Sequence, residues 1–301
     1  MISARTYNSL VLVKQVPDTH NVTSNAMKDD GTMNRAALPA IFNPEDLNAL
    51  EMALQVREQY GGTVTVVTMG PPSAAQVLRE ALYRGADRVI LLSDKKFAGA
   101  DTLATSYALK CAIEKAGHYD LVFCGRQAID GDTAQVGPQT AEKLGIPQIT
   151  YAGSVVHLEG DEIVVERAFP MGKELVKCTL PCLLTVVGTA NQPRPPSARR
   201  RIEYKLAATP LEYRSLLEKR SEFKTEEELE AFLTVRNLKI PVWSAADIGA
   251  DEDKIGLAGS PTQVYKVNFV VLETTESKEV PATREGIAAL MQELVKEYIV
   301  G

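Results

Sequence analysis

The sequence predicts an α/β fold with a doubly wound, mostly parallel sheet, an antiparallel addition and a C-terminal arm. Strand and helix patterns alternate strictly as far as residue 145, which is typical of a parallel sheet with helices on both faces. Strand patterns then follow one another directly from residue 149 to residue 190, which indicates antiparallel neighbours. A turn rich in Gly, Ser and Pro, a strand-like run and an amphipathic helix close the chain. We therefore expect a main domain at residues 1–250 and an arm at residues 251–301.

The first half of the chain alternates between strand-like apolar runs and segments with a helical period, eight segments in all. Apolar runs predict four strands, "SLVLVKQV", "TVTVVTMG", "DRVILLSD" and "YDLVFCG". A helical period predicts four helices, "NPEDLNALEMALQVREQY", "PPSAAQVLREALYRG", "DTLATSYALKCAIEKAG" and "TAQVGPQTAEKLG". Pro44 suits the first turn of the first helix, and Asp101 is a candidate N-cap of the third. In such a fold, ligands bind beyond the carboxyl ends of the strands, where the strand order reverses.

For the second half of the chain, the sequence predicts strands, then a loop, then helices. "ITYAGSVVHLEGDEIVVERAF" predicts two antiparallel strands around an "EGDE" turn, and "KELVKCTLPCLLTVVG" continues as strand with a break at Pro181. "TANQPRPPSARRR" is Pro-rich and predicts a semi-rigid exposed loop, a place where binding residues often occur. Thr225 and Glu228 have capping-box spacing at the start of the helix "TEEELEAFLTVRNL".

Composition places the protein among ordinary globular chains. Of 301 residues, 45% are hydrophobic and 24% are charged, and the formal net charge is -6. This charge gives no general attraction to nucleic acid or to an anionic membrane. The basic cluster "ARRR" at 198–201 is either a binding patch or a solvated loop. No apolar run reaches the length of a membrane span and the N-terminal segment lacks a signal-peptide pattern, so we predict a cytoplasmic protein.

The four cysteines include no C-x-x-C pair. Cys178 and Cys182 are four residues apart in a strand-like run, which at strand rise separates them by about 13 Å. We expect them to be core thiols. With only three scattered histidines in the chain, we predict no metal site.

The most informative stretch is "GRQAIDGDTAQVGPQTAEKLG" at 125–145, which directly follows a buried strand. A helix beginning near Thr133 would point its unpaired N–H groups and its positive dipole end at an anion. The alternative is an ordinary strand-to-helix turn. The stretch has neither the G-x-G-x-x-G fingerprint nor the Lys-Ser/Thr of a P-loop, so a phosphate here would be held in another way.

Six segments together resemble the beta subunit of the electron transfer flavoproteins. They are "VLVKQVPDT", "FNPEDLNALEMAL", "MGPP", "FAGADTLATSYAL", "CGRQAIDGDTAQVGPQTAEKLGIPQ" and "GLAGSPTQV". The resemblance covers nearly the whole chain and implies a Rossmann-like fold of the adenine-nucleotide alpha-hydrolase type. The beta-subunit signature is similar at 165–185 and departs from the family pattern at Pro170 and Met171.

The resemblance implies a redox cofactor. In housekeeping members the beta subunit holds a structural AMP, whereas in electron-bifurcating members the same site holds FAD. "NPED", "GPP" and "FAGADTLATSY" resemble the bifurcating branch, which implies FAD as cofactor and NADH as electron donor. There the beta-subunit flavin takes a hydride and divides the electrons between ferredoxin or flavodoxin and the FAD of the alpha subunit. A non-redox nucleotide-binding protein is a further alternative.

The resemblance also implies the binding residues. The residues around the adenosine would be Leu12, Val13, Asn43, Asp46, Met69 and Gly70. The residues along the ribose and diphosphate would be Cys124, Gly125, Gln127, Asp130, Gly131, Asp132, Thr133, Ala134, Gln135 and Val136. The polar atoms beside an isoalloxazine would come from Ser93, Asp101, Thr102 and Thr105.

For some of these residues the sequence also allows another role. Asp101 is equally a plain N-cap, and Thr102 and Thr105 equally lie on a solvated helix surface. Asp130 and Asp132 would be repelled by phosphate, so we expect them to bind ribose hydroxyls or to cap the helix. No catalytic acid, base or nucleophile is expected, because the flavin carries the chemistry.

The implied partners are an alpha subunit, forming a heterodimer, and an acyl-CoA dehydrogenase-like or quinone-reductase-like protein. One face of the last helix carries Ile287, Leu290, Met291, Leu294 and Tyr298. We predict that the arm from residue 251 wraps the alpha subunit; the alternative is that it docks on its own domain. The arginines at 199–201 are predicted to meet carboxylates of the electron-accepting partner.

Overall fold

A computed structural model of the protein describes residues 5–18, 39–169, 171–220, 222–262 and 278–297. The chain divides into two compact units, Met1–Val264 and Tyr265–Gly301. No helix among the described residues is long and apolar enough to cross a membrane.

The first unit contains strands and helices in the predicted alternation. The strands are β1 (Ser9–Val13), β2 (Gln15–Pro17), β3 (Ala40–Phe42), β4 (Val64–Met69), β5 (Arg88–Leu92), β6 (Leu121–Gly125), β7 (Gln148–Glu159), β8 (Glu162–Phe169), β9 (Gly172–Thr179), β10 (Cys182–Val186) and β11 (Val242–Trp243). The helices are α1 (Pro44–Tyr60), α2 (Ala75–Arg84), α3 (Thr102–Ala116), α4 (Val136–Leu144), α5 (Ala198–Tyr204), α6 (Tyr213–Lys219) and α7 (Glu226–Val235).

Within the described residues, nine strands form one sheet in the order β11–β5–β4–β1–β6–β10–β7–β8–β9. All pairs from β11 to β7 are parallel, whereas β8 and β9 are antiparallel additions. A small antiparallel sheet joins β2 to β3. The predicted doubly wound sheet with an antiparallel addition is confirmed.

Each face of the sheet carries its own apolar core, because side chains alternate along every strand. In β1, Val11 and Val13 pack with the residues of α1 and α2. Leu10 and Leu12 point the other way and pack with α3. Burial of each such side chain contributes about 1.5–3 kcal/mol. Consequently the strands are fixed on both faces, and their carboxyl ends present a rigid edge.

The strand order reverses at β1. From β1 the chain passes through α1 to β4 and then to β5, on one side of β1, and β6 returns to its other side. The carboxyl ends of β1 and β6 therefore flank the position where ligands bind in open α/β sheets.

Two loops differ from the sequence expectation. The helix that was expected to begin near Thr133 begins at Val136 instead. A turn of the backbone precedes it. The Pro-rich stretch expected to be wholly loop ends in helix α5, for which Ser197 is the N-cap. Arg194 anchors the loop before α5 through ion pairs with Glu51 and Glu58.

The expectation that Cys178 and Cys182 lie in one continuous strand is wrong. A turn at residues 180–181 ends β9 and starts β10, so the two cysteines lie on different strands. Of the two positions where the family signature departs, Pro170 lies outside the described residues and Met171 is exposed.

The second unit contains helix α8 (Arg284–Lys296), with Thr283 as its N-cap. Leu290 and Leu294 are half-buried, while Ile287 and Met291 on the same face are 56% and 44% exposed. The predicted apolar stripe is present along α8, except that Tyr298 lies outside the described residues.

Candidate functional site

The carboxyl ends of β1 and β6 are held together by one buried carboxylate. Asp46, in the first turn of α1, accepts hydrogen bonds from the backbone N–H groups of Lys14 at 2.8 Å and Gly125 at 2.9 Å. A Cβ atom on Gly125 would lie 2.6 Å from Asp46 Oδ1. Glycine is therefore required at the end of β6 so that α1 can approach.

Burial dominates the electrostatics of Asp46. It raises the pKa of the carboxyl to about 7, against the opposing effect of the Gly125 and Lys14 backbone N–H groups. Asp46 thus serves as a structural tie between two strands rather than as a group that reaches out to a ligand.

The loop after β6 is held by the same "NPED" segment. Asn43 donates to the carbonyl of Gln127 at 2.9 Å and accepts from the N–H of Ile129 at 3.2 Å. Glu45 accepts from the N–H of Gln127 at 3.0 Å and pairs with Arg126 at 3.0 Å. The sequence prediction missed Glu45, although its position between two predicted site residues could have indicated it. The loop is therefore preformed by α1.

Beyond this anchored part, the loop exposes a run of backbone donors. The N–H groups of residues 133–137 have no hydrogen-bond acceptor among the described residues. Asp132 and Ala134 have positive φ values of 49° and 52°, and Gln135 returns to a φ of -104°. Turns with such alternation gather N–H groups into an anion-binding concavity, here at the N-terminus of α4.

The glycines of the loop have different roles. A Cβ atom on Gly137 would lie 2.7 Å from the sulfur of Cys124, so Gly137 lets α4 pack directly on β6. Cys124 is a core residue, and burial raises the pKa of its thiol. Gly131 has open space around it and lies outside the positive-φ region. The positive φ values of the turn are at Asp132 and Ala134 rather than at Gly131.

The two carboxylates of the loop already have partners within the chain. Asp130 pairs with the Lys14 ammonium at 2.7 Å, and Asp132 accepts from the Gln127 side chain at 2.9 Å. Neither caps α4, whose N-cap position is Gln135. Lys14, which sequence reasoning did not single out, therefore offsets part of the negative charge beside the concavity.

The N-terminus of α3 adjoins that of α4. Thr102 Oγ1 lies 3.1 Å from Gln135 Oε1, which bridges the two helix starts. Asp101 caps α3 by accepting from the N–H groups of Leu103 and Ala104, and its second carboxylate oxygen accepts from Thr262. Thr105 is half-buried in the first turn. Asp101 is therefore the N-cap of α3, as one of the two interpretations predicted. A contact between Asp101 and a flavin ring stays a prediction.

The other predicted residues lie at neighbouring strand ends. Leu12 and Val13 bury their side chains in the two cores, so only their backbone can face a ligand. Met69 is half-buried, and the N–H of Gly70 donates to the carbonyl of Leu92 at 3.0 Å. The Ser93 N–H donates to the carbonyl of Trp243. The hydrogen bonds thus join Asn43 and Asp46 to β6 and its loop, whereas Met69 ends β4, Gly70 follows β4 and Ser93 follows β5.

Sequence comparison relates the chain to electron transfer proteins. The profile of the electron transfer flavoprotein domain matches residues 30–210. The electron transfer flavoprotein subunit beta of Thermoanaerobacterium thermosaccharolyticum is 41% identical over 293 residues, 97% of this chain and 100% of the relative. The acryloyl-CoA reductase electron transfer subunit gamma of Anaerotignum propionicum is 39% identical, over 96% of this chain and 98% of the relative. The caffeyl-CoA reductase-Etf complex subunit CarD of Acetobacterium woodii is 42% identical, over 85% of this chain and 86% of the relative.

Proposed function

The chain belongs to the electron transfer flavoprotein family and is similar to its beta subunits. We propose that it binds FAD beside β1 and β6. In complex with an alpha subunit, it would take electrons from NADH and divide them between two acceptors. One acceptor is ferredoxin or flavodoxin, and the other is the alpha-subunit FAD that serves a dehydrogenase or quinone reductase.

The observation that carries this proposal is the run of N–H groups at residues 133–137, which have no acceptor in the described parts of the chain. A diphosphate needs several donors that converge without bulky side chains. The concavity before α4 offers backbone donors, and a second helix N-terminus, that of α3, adjoins it through Thr102 and Gln135. The residues present therefore fit the diphosphate of an adenine nucleotide.

The chain's own residues bind and orient the cofactor. Residues 133–137 would hold the diphosphate through backbone N–H groups, while Asn43, Glu45 and Asp46 keep the loop and the strand ends in place. The start of α3, at Thr102 and Thr105, would face the ring system. When bound, FAD supplies the redox chemistry, accepting two electrons together and releasing them singly.

The names of two relatives support a CoA-ester reductase or a similar dehydrogenase as the electron acceptor. One relative is the electron transfer subunit of an acryloyl-CoA reductase, and another is a subunit of a caffeyl-CoA reductase-Etf complex. Both names describe subunits that work with a CoA-ester reductase. By analogy, this chain would deliver electrons to a reductase or dehydrogenase of that class.

Two surfaces suit the protein partners. Helix α8 presents Ile287 and Met291 to solvent, and an exposed apolar helix face is a typical contact for a protein partner, here the proposed alpha subunit. Helix α5 exposes Ile202 by 69%, flanked by the exposed Arg199 and Arg201. An apolar residue within a basic rim fits a reductase surface that carries carboxylates.

A substitution that adds a negative charge but hardly changes the shape of the side chain tests the proposed diphosphate site. Gln135→Glu keeps the side-chain oxygen that Thr102 contacts and adds a negative charge at the N-terminus of α4. We expect about tenfold weaker nucleotide binding, whereas the helix itself gains about 0.3–1 kcal/mol because the charge suits its dipole. The measurement is nucleotide affinity of the complex, with the free energy of unfolding determined in parallel.

Gln139→Glu is the matched control, because it adds the same charge one turn further along α4. It should keep most of the affinity. Equal affinity for the wild type and Gln135→Glu would place the nucleotide elsewhere, and the proposed function would then lose its site.

A further inference from the structure

One carboxylate joins the start of α3 to the segment that leads into the second unit. Asp101 Oδ1 caps α3 by accepting from the N–H groups of Leu103 at 2.9 Å and Ala104 at 3.0 Å. Its Oδ2 accepts from the Thr262 hydroxyl at 2.7 Å and from the Thr262 N–H at 3.1 Å. The second unit begins shortly afterwards, at residue 265. Asp101 and Thr262 thus form a clasp between α3 and the entrance to the second unit.

The segment "GLAGSPT" at 256–262 is shaped to make this contact. The buried Ser260 hydroxyl accepts from the Asp101 N–H at 2.8 Å and donates to the Gly256 carbonyl at 2.6 Å. Gly256 has a φ of 54°, and a Cβ atom there would lie 2.0 Å from the carbonyl oxygen of Lys96. Glycine is therefore required where the segment crosses the loop before α3. The segment is fastened to the start of α3 at Ser260 as well as at the clasp.

The clasp is continuous with the proposed nucleotide site. Thr102 follows Asp101 and lies 3.1 Å from the Gln135 side chain, and Gln135 is the N-cap position of α4 beside the N–H concavity. The first turn of a helix opens readily when its cap is lost, because its N–H groups have no partner within the helix. A nucleotide on the starts of α3 and α4 needs that first turn in place. Closing of the clasp therefore prepares the surface that the nucleotide would contact.

We propose that Thr262 is a positioning residue for nucleotide binding, and that the nucleotide in turn holds the clasp closed. The inference rests on the proposed function, since it needs a nucleotide at the starts of α3 and α4. A ligand that binds only one of two forms stabilises that form by mass action. Residues 256–262 are therefore held more firmly against α3 when the nucleotide is bound.

Hydrogen exchange of the nucleotide-free full-length chain, with and without added ADP, measures the clasp directly. ADP is the probe because it carries the diphosphate of FAD and lacks its ring system. At about ten times its dissociation constant, ADP should slow exchange of the Thr262 amide about tenfold, since the clasp opens only after ADP has left. A clasp with a purely structural role would exchange at the same rate with and without ADP.

Two matched variants complete the test, with ADP affinity measured by calorimetry. Thr262→Val removes the hydroxyl that bonds to Asp101 and should weaken ADP binding about fivefold, because fewer chains keep the first turn of α3 in place. Thr63→Val is the control and should keep full affinity. It removes a hydroxyl bond of 2.8 Å, to Asn8, at the opposite edge of the sheet.

Two results would overturn the proposal while leaving the nucleotide site intact. One is a Thr262→Val chain that binds ADP as tightly as Thr63→Val does. The other is a wild-type chain that binds ADP with no change in exchange of the Thr262 amide. A wild-type chain that binds no ADP would instead contradict the nucleotide site, and the proposal would fail with it.

Discussion

Gly125 and Gly131 stand in the same loop, but neighbouring atoms constrain only Gly125. An added Cβ at Gly125 would meet Asp46 Oδ1 at 2.6 Å and the backbone of Glu45 at 2.8 Å, whereas Gly131 has open space. We expect Gly125→Ala to lower the free energy of unfolding by about 1–3 kcal/mol, because α1 must shift. Chemical denaturation measures the effect.

Gly131→Ala is the control and should change that free energy by less than about 0.5 kcal/mol. A larger loss at Gly131 than at Gly125 would mean that α1 does not hold the end of β6 as described.

Asp46 makes the stability of the site depend on pH. Its pKa is raised from 3.8 to about 7 by burial, so between these values the folded chain keeps a proton that the unfolded chain has lost. The contribution of Asp46 to stability therefore decreases as pH rises through this range, by about 1.4 kcal/mol for each unit. We expect the difference in unfolding free energy between wild type and Asp46→Asn to shrink from pH 5 to pH 7.5.

Other titrating groups contribute equally to both chains and cancel in that comparison. A difference that grows with pH would show that the two N–H donors keep Asp46 ionised, contrary to its raised pKa.

At the residue scale, the sequence indicated the site region but not its internal contacts. The composition of residues 125–136 predicted an anion-binding turn, because small residues before a helix expose backbone donors. The positive φ values at Asp132 and Ala134 could not be predicted, since neither residue is glycine and the anchoring hydrogen bonds from Asn43 and Glu45 come from distant sequence.

At the element scale, helix α5 carries one arginine with structural contacts and two arginines that are exposed. Arg200 donates to the carbonyls of Leu82 and Ala86 at 2.6 Å and stacks on Tyr204. The prediction that all three arginines face a partner is therefore wrong for Arg200. We expect Arg200→Ala to cost about 1.5–3 kcal/mol of unfolding free energy, because charged hydrogen bonds to carbonyls at the end of α2 are lost.

Replacing the exposed Arg199 and Arg201 by Ala should leave stability within about 0.5 kcal/mol. We expect this double variant to slow electron delivery to the reductase partner at low salt, with the difference from wild type fading at high salt. Stopped-flow measurement at two ionic strengths tests this. An identical rate at low salt would remove α5 from the proposed docking surface.

The order of strands and helices was predictable because their periodicities are strong, whereas their ends depended on tertiary contacts. Four central strands follow from apolar runs, and Asp101 caps α3 as its spacing predicted. By contrast, the start of α4 moved from near Thr133 to Val136, because the residues between them form the N–H concavity. The placement of Cys178 and Cys182 in one strand was wrong because a turn at residues 180–181 separates β9 from β10.

At the scale of the whole molecule, the second unit is the candidate contact for the alpha subunit. We expect Ile287→Lys combined with Met291→Lys to weaken heterodimer formation about a hundredfold, because two exposed apolar side chains on one face of α8 are replaced by charges. The affinity of the two subunits, measured by analytical ultracentrifugation, reports the change.

Ala289→Lys places one lysine on the opposite face of α8 and should keep full affinity. If the double variant pairs as tightly as this control, the apolar face of α8 has no role in the heterodimer.

Nucleotide stoichiometry tests the proposal that the edge formed by β1 and β6 holds FAD. The purified complex of this chain with its alpha subunit is denatured, and the released nucleotides are identified and counted by chromatography. We predict two FAD molecules and no AMP for each pair of subunits. One FAD with one AMP would contradict the assignment of FAD to this chain, and a colourless complex without nucleotide would contradict the nucleotide site itself.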